Sequence, residues 1–329
     1  MSIAKPAHSK PANPLAGFIS IQVAMLKRLR NAPVDLYVRY QTSGPPVLYC
    51  RAGYLLESEH LFGLADSGVE QVYVRLEDFQ GFGACLLEAV ESANEHESVP
   101  YGERFAALQL ALAVEIERTA RLLDCGPYVL LSERTGRELT SLLASNDVLP
   151  RDLFRLARHD FNTFTHVTNV SSYMVILAER MGVANHDELE QIAIGAMLHD
   201  VGKRYIPTSI LNKPARLDPS ERAIIETHPQ RGYEELCDRE ELNFGQLMMV
   251  YQHHERIDST GYPVGISGED IHPWARMLSV VDVFDAMTGT RPYRRPATAR
   301  EAMSYIVQMA GTQFDREAVA CWTSAMNVA

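Results

Sequence analysis

Eight of the eleven histidines fall between His159 and His272, about twice what an even spread would place there, and that stretch reads as helix after helix. Apolar residues recur at helical spacing over Phe161–Met181, Asp187–Leu198, Pro219–Thr227, Gln230–Asp238, Phe244–His253, Pro273–Met287 and Ala299–Met309, with a shorter run at Arg151–Arg158. Strand signals are nearly absent from this half. The pattern predicts an all-α helical bundle over residues 146–329. Such a bundle can gather side chains from several helices into one core site.

Five of these histidines sit where metal ligation is plausible chemistry. His166 lies on a long helix, and His199 and Asp200 close another in AIGAMLHDVGK. His228 stands in THPQRGYE, while His253 and His254 end a helix in VYQHHERIDSTGYP. Asp282 and Asp285 share a helix face at spacing i, i+3 in SVVDVFDAMT. Imidazole with carboxylate suits Fe, Mn, Zn or Ni, and the absence of nearby cysteine pairs argues against a thiolate zinc site. Asp200 has two oxygens and can bridge two ions, the arrangement that assists phosphate displacement. A single histidine on a helix is ordinarily a satisfied core or surface residue; the ordered set is what chance does not supply. His159, His186 and His272 fit no such role and are read as surface residues.

The ordered set resembles the HD-GYP subgroup of the HD phosphohydrolase superfamily. HVTNV at His166, HDVGKRYIP, ILNKPARLDPSE, THPQRGYE, HHERIDSTGYP and VVDVFDAMTGTRPYRRP occur in the family's order. The resemblance covers about residues 150–325 and implies a phosphodiesterase that opens cyclic di-GMP to linear pGpG, and in many members to GMP, in bacterial second-messenger signalling. Carried over, it implies metal ligands His166, His199, Asp200, His228, His253, His254 and Asp282 around two divalent ions, Fe or Mn ahead of Zn or Ni. Asp200 and Lys203 take the catalytic roles, and Lys203, Tyr262, Pro263, Asp285, Arg291 and Arg294 line the substrate pocket. GGDEF-type diguanylate cyclases are implied as partners.

Two departures stand out. Ser259 replaces the glycine that usually follows the aspartate of the HHE…GYP segment, and only glycine adopts φ > 0 freely. Asn162 stands where three-metal members carry a glutamate, which points to two ions. Two other readings stay open: a catalytically weak cyclic di-GMP receptor, and an HD hydrolase acting on another nucleotide.

The first half carries no catalytic constellation. Residues 1–14 read as a disordered tail, 15–100 as a small regulatory α/β or α+β domain, and 101–145 as a helical linker, making the whole chain α+β. Strands are predicted at Val34–Tyr40, Pro46–Cys50 and Val69–Arg75, a helix at Glu57–Ala65, and helices at Phe105–Leu123 and Ser132–Leu143. The net charge of −11 disfavours a nucleic-acid polymer as partner. The uncharged run Leu15–Leu26 is too short to span a membrane. Five scattered cysteines without a C-x-x-C pair suit a reducing cytoplasm. Dimerisation is a further role open to the first half.

Overall fold

A computed structural model describes residues 18–26, 29, 31–39, 44–69, 71–75, 77, 78, 85, 105, 125–144, 163–211, 213, 215–289 and 295–327. All but Phe105 of the helix expected at Phe105–Leu123, the helix expected at Arg151–Arg158, the N-terminal tail, His159, Asn162, Arg291 and Arg294 lie outside these residues. The chain divides into two compact units, Met1–Ala89 and Val90–Ala329.

The first unit is built on a four-stranded antiparallel sheet of order β1-β4-β2-β3. β1 (Phe18–Gln22) and α1 (Val23–Leu26) come from the uncharged run noted above. β1 pairs with β4 (Gln71–Arg75), which pairs in turn with β2 (Leu36–Val38), and β2 carries β3 (Val47–Cys50) at the edge. Leu36, Val38, Val72 and Val74 are fully buried, as are Leu61 and Leu64 of α2 (Ser58–Asp66) in large part. With every pairing antiparallel, the unit is α+β.

The second unit is helical. Its elements are α3 (Gly126–Ala144), α4 (Thr163–Arg180), α5 (His186–Leu198), a 3₁₀ turn (Val201–Tyr205), α6 (Thr208–Leu211), α7 (Pro219–Ile225), α8 (His228–Leu236), α9 (Phe244–Gln252), α10 (Pro273–Thr288), α11 (Ala299–Gln308) and α12 (Arg316–Asn327). Their starts are written in local chemistry. Asn185 caps α5 by accepting from the amides of Asp187 and Glu188. Capping boxes open α7 (Asp218 with Glu221), α9 (Asn243 with Gln246) and α11 (Thr298 with Glu301), each satisfying amides that no helical bond reaches.

α5 lies at the centre, packed by α3, α4 and α9. The segment expected as a linker contributes Cys125, Tyr128 and Val129 to a core shared with Ile194, Leu198, Val201 and Val250. Under α4 and α10, Tyr173, Phe284 and Trp322 form an aromatic cluster with ring centroids 5.4–5.8 Å apart. Aromatic pairs at this spacing stabilise beyond their buried area. Tyr173 is two turns from His166, and Phe284 lies between Asp282 and Asp285, so the cluster sets the two helices that carry those residues. Of the histidines read as surface, His186 is exposed. His272 instead caps α10, its Nδ1 accepting from the amide of Trp274.

Candidate metal centre

The seven residues expected as ligands come from five places in the second unit. His166 is in the first turns of α4, and His199 and Asp200 follow α5. His228 opens α8, His253 and His254 close α9, and Asp282 is midway along α10. All are inward, and His199 and His228 are wholly inaccessible.

The imidazoles are oriented by their Nδ1 atoms. Those of His199, His228 and His253 meet the backbone carbonyls of Ala196 (2.6 Å), Ile225 (2.7 Å) and Val250 (3.0 Å). A carbonyl only accepts, so Nδ1 carries the hydrogen and, in the neutral ring, Nε2 carries the lone pair. Those Nε2 atoms converge on Asp200, which divides them. Its Oδ2 lies 3.4 Å from His199 Nε2 and 3.7 Å from His166 Nε2, while its Oδ1 lies 3.3 Å from His228 Nε2 and 3.8 Å from His253 Nε2. Asp282 Oδ1 joins the first group, 3.1 Å from His166 Nε2 and 3.9 Å from His199 Nε2. His254 joins the second, in a set with His228 and His253 whose donor atoms all lie within 4.8 Å.

This donor set fits cations. The Nε2 atoms of His228 and His253 face each other at 3.2 Å, both carrying lone pairs by the argument above. His199 Nε2 and Asp200 Oδ1 are buried with no hydrogen-bond partner. Burial and the neighbouring imidazole of His254 hold His253 well below the usual histidine range, and burial holds His254 down to about 3. Protonation therefore does not relieve the crowding, and positive ions on either side of Asp200 would. Burial alone would raise the Asp200 carboxyl, yet the Lys203 ammonium and His199 hold it well below the usual range. His166 goes the other way. Burial opposes its charge, but the carboxylates of Asp282 and Asp285 push it up to about 9. A proton on Nε2 there takes the place an ion would occupy, so ion binding would release it.

Beside the second set is a cavity of about 220 Å³ lined by Arg222, His254, Arg256, Thr260, Tyr262 and Gln313, among others. The Tyr262 ring lies 4.7 Å from that of His254 at an interplanar angle of 32°. Pro263 adjoins it through a cis peptide bond. Lys203, at the end of the HDVGK run, binds Asp200 Oδ2 while its side chain stays 29% exposed.

The structure departs from the sequence reading at Asp285 and adds Glu255. Asp285, expected in the substrate pocket, is buried with both oxygens occupied: Oδ2 bonds His166 Nδ1 at 2.8 Å and Oδ1 accepts from Asn169 Nδ2 at 2.9 Å. Glu255, directly after the histidine pair, accepts from the amides of Val264, Gly265 and Ile266 at 2.8–3.2 Å. It thereby pins the loop after Tyr262. Ser259 adopts φ 62°, the left-handed conformation that its replacement of glycine raised as a question.

Residues 148–318, just over half the chain, match the profile of the HD domain family. The chain belongs to the HD domain family. It is 29% identical over 293 residues to a cyclic di-GMP phosphodiesterase of Pseudomonas aeruginosa, covering 84% of this chain and 70% of that protein. It is 38% identical over 188 residues to the cyclic di-GMP phosphodiesterase response regulator RpfG of Xanthomonas campestris, covering 54% of this chain and 49% of that one. The chain thus spans about half the length of that second relative. The fold matches an HDG"Y"P protein of Bdellovibrio bacteriovorus with a TM-score of 0.68 at 20% identity, over 93% of this chain and 98% of that one. No described helix is long and apolar enough to cross a membrane.

Proposed function

We propose that this HD-domain protein is a two-metal phosphodiesterase that hydrolyses cyclic di-GMP. The observation that carries this reading is the division of the imidazoles by the two oxygens of Asp200. His166, His199 and Asp282 would complete one ion's shell, and His228, His253 and His254 the other. Imidazole with carboxylate suits Fe, Mn, Zn or Ni, and the family resemblance puts Fe or Mn first. Two such ions would lower the pKa of a water and offset charge on the phosphate oxygens.

The chain's own residues supply the rest. Lys203 exchanges its contact with Asp200 for a non-bridging phosphate oxygen, where charge grows in the transition state. Tyr262, Pro263, Arg291 and Arg294 hold the dinucleotide, Tyr262 from the wall it shares with His254. Water adds to phosphorus as the bond to the 3′-oxygen breaks, and one water proton ends on that oxygen. The product is pGpG, and a second round would give GMP. The metal-ligand clusters found among the described residues both lie in the second unit. The first unit then takes a regulatory, dimerising or partner-binding role, the GYP surface around Tyr262 and Pro263 is the one that would meet GGDEF-type cyclases, and the free thiols suit a cytoplasmic setting.

Purified protein loaded with Mn²⁺ or Fe²⁺ under reducing, anaerobic conditions should convert cyclic di-GMP to pGpG. Absence of turnover with Fe, Mn, Zn and Ni alike would reject the enzyme. Ser259 at φ 62° favours a second reading, a receptor that binds without turnover. Tight calorimetric binding with a silent assay would select it, and turnover of another nucleotide alone would select a different HD hydrolase.

A further inference from the structure

We propose that Asp285, braced by Asn169, is a positioning residue that orients His166 and sets the affinity of the ion on that side of Asp200. The inference rests on the two-ion reading above.

His166 differs from the other oriented imidazoles. His199 and His253 stand at helix C-caps and His228 at the first residue of α8. Each reaches a carbonyl three residues back. His166 lies within α4, where the helical ladder consumes the carbonyls, so its Nδ1 needs a partner from elsewhere in the fold. Asp285 supplies it from α10. One helix face then grips one ring at both nitrogens: Asp285 Oδ2 lies 2.8 Å from Nδ1 and Asp282 Oδ1 3.1 Å from Nε2. The ring cannot turn without breaking both contacts.

Asn169, one turn past His166 on α4, fixes the carboxylate in its turn by donating to Oδ1 at 2.9 Å. His166, Asn169 and Asp285 are 3, 2 and 4% exposed. A carboxylate so enclosed, with each oxygen bonded to a neighbouring side chain, is turned to α4 rather than to a substrate. It does have the effect that carboxylates beside ligating histidines generally have: it fixes the tautomer and makes the far nitrogen a better donor, and losing it weakens metal binding about 10–100-fold.

The test is a Mn²⁺ titration of metal-free full-length protein, with ions counted per chain, for the parent, Asp285→Ala, Asp285→Asn and Asn169→Leu. One of two ions should weaken about 10–100-fold in Asp285→Ala, less in Asp285→Asn, which keeps an acceptor for Nδ1–H, and the other ion should hold its parent affinity. Should Asp285→Ala fail to fold, the other two variants carry the same titration. Independently of any ion, ¹H–¹⁵N NMR of the metal-free parent should show an exchange-protected His166 Nδ1–H, assigned by its loss in His166→Gln. Parent affinity for both ions across the folded Asp285 and Asn169 variants would overturn the proposal, as would absence of the protected proton. A parent that shows that proton but binds no pair of ions would refute the two-ion reading and leave the Asp285–His166 contact standing.

Discussion

The closest backbone approach at the site is at Gly202, two residues past Asp200, and replacing it with alanine should disable the centre. The 3₁₀ turn packs against α8 so tightly that a Cβ on Gly202 would lie 2.0 Å from the His228 carbonyl oxygen and 2.6 Å from the Gly232 nitrogen. Both neighbours are backbone, so no rotamer change relieves the clash. Contacts below 3.0 Å are essentially never seen for Cβ, so the turn and α8 must part by about 1 Å. That motion separates Asp200 Oδ1 from His228 Nε2, now 3.3 Å apart. Overpacking of this kind costs about 1–3 kcal/mol, and a displacement of about 1 Å at a reacting centre costs on the order of 10²-fold in rate. Thermal unfolding, bound-metal content and cyclic di-GMP turnover should be compared for parent and Gly202→Ala. The variant should fold with a melting temperature several degrees lower, hold the ion beside His228 weakly and lose turnover about a hundredfold. Gly63→Ala, with nothing within 4 Å of the added carbon, is the control and should leave all three unchanged or slightly raise stability. Full metal content and turnover in Gly202→Ala would refute the claim that this contact sets the site.

Ser259→Gly removes a side chain from a residue at φ 62° and should raise stability by about 1 kcal/mol, read as a shift in denaturant midpoint without loss of turnover. Glu255→Ala strips the acceptor from three loop amides; it should destabilise by about 1–3 kcal/mol and raise KM more than it lowers kcat, because Tyr262 loses its backing. In the metal-free chain, burial holds His254 down to about 3 and His253 lower than usual, whereas the unfolded chain protonates both near pH 6.5. The unfolded state therefore gains protons as pH falls from about 6.5 toward 3, so denaturant midpoints should drop across that window, and flat midpoints would contradict the assignment. The His166 contribution, with its value raised to about 9 against burial by Asp282 and Asp285, should be present below about 6.5 and lost as pH rises through about 9.

What the sequence reveals and conceals here follows from the physics of each feature. His166, His199, Asp200, His228, His253, His254 and Asp282, which the fold brings together, stand out in the sequence as imidazoles and carboxylates at helix ends and on helix faces. The split of those imidazoles between the two Asp200 oxygens is tertiary geometry, and no spacing encodes it. The i, i+3 relation of Asp282 and Asp285 shows a shared face but not that one carboxylate meets Nε2 and the other Nδ1 of the same ring. Asn169 bears the same relation to His166 and could have suggested a partner for it. Glu255 is not legible as a loop anchor because the groups that donate to it are backbone amides, which carry no side-chain signature. In the first unit, the uncharged run Leu15–Leu26 is too short for its periodicity to choose between strand and helix, and its described part, Phe18–Leu26, forms β1 followed by α1. Helix starts are the most legible detail, since Asp218–Glu221, Asn243–Gln246 and Thr298–Glu301 announce themselves as capping boxes.

The central claim is that Asp200 divides two ions, and the most direct measurement is the number of Mn²⁺ ions bound per chain in anaerobically titrated parent and Asp200→Ala protein. The account predicts about two ions in the parent and loss of both from their sites in the variant, since each shell loses an oxygen from its centre. One ion or none in the parent, or two retained by Asp200→Ala, would contradict it.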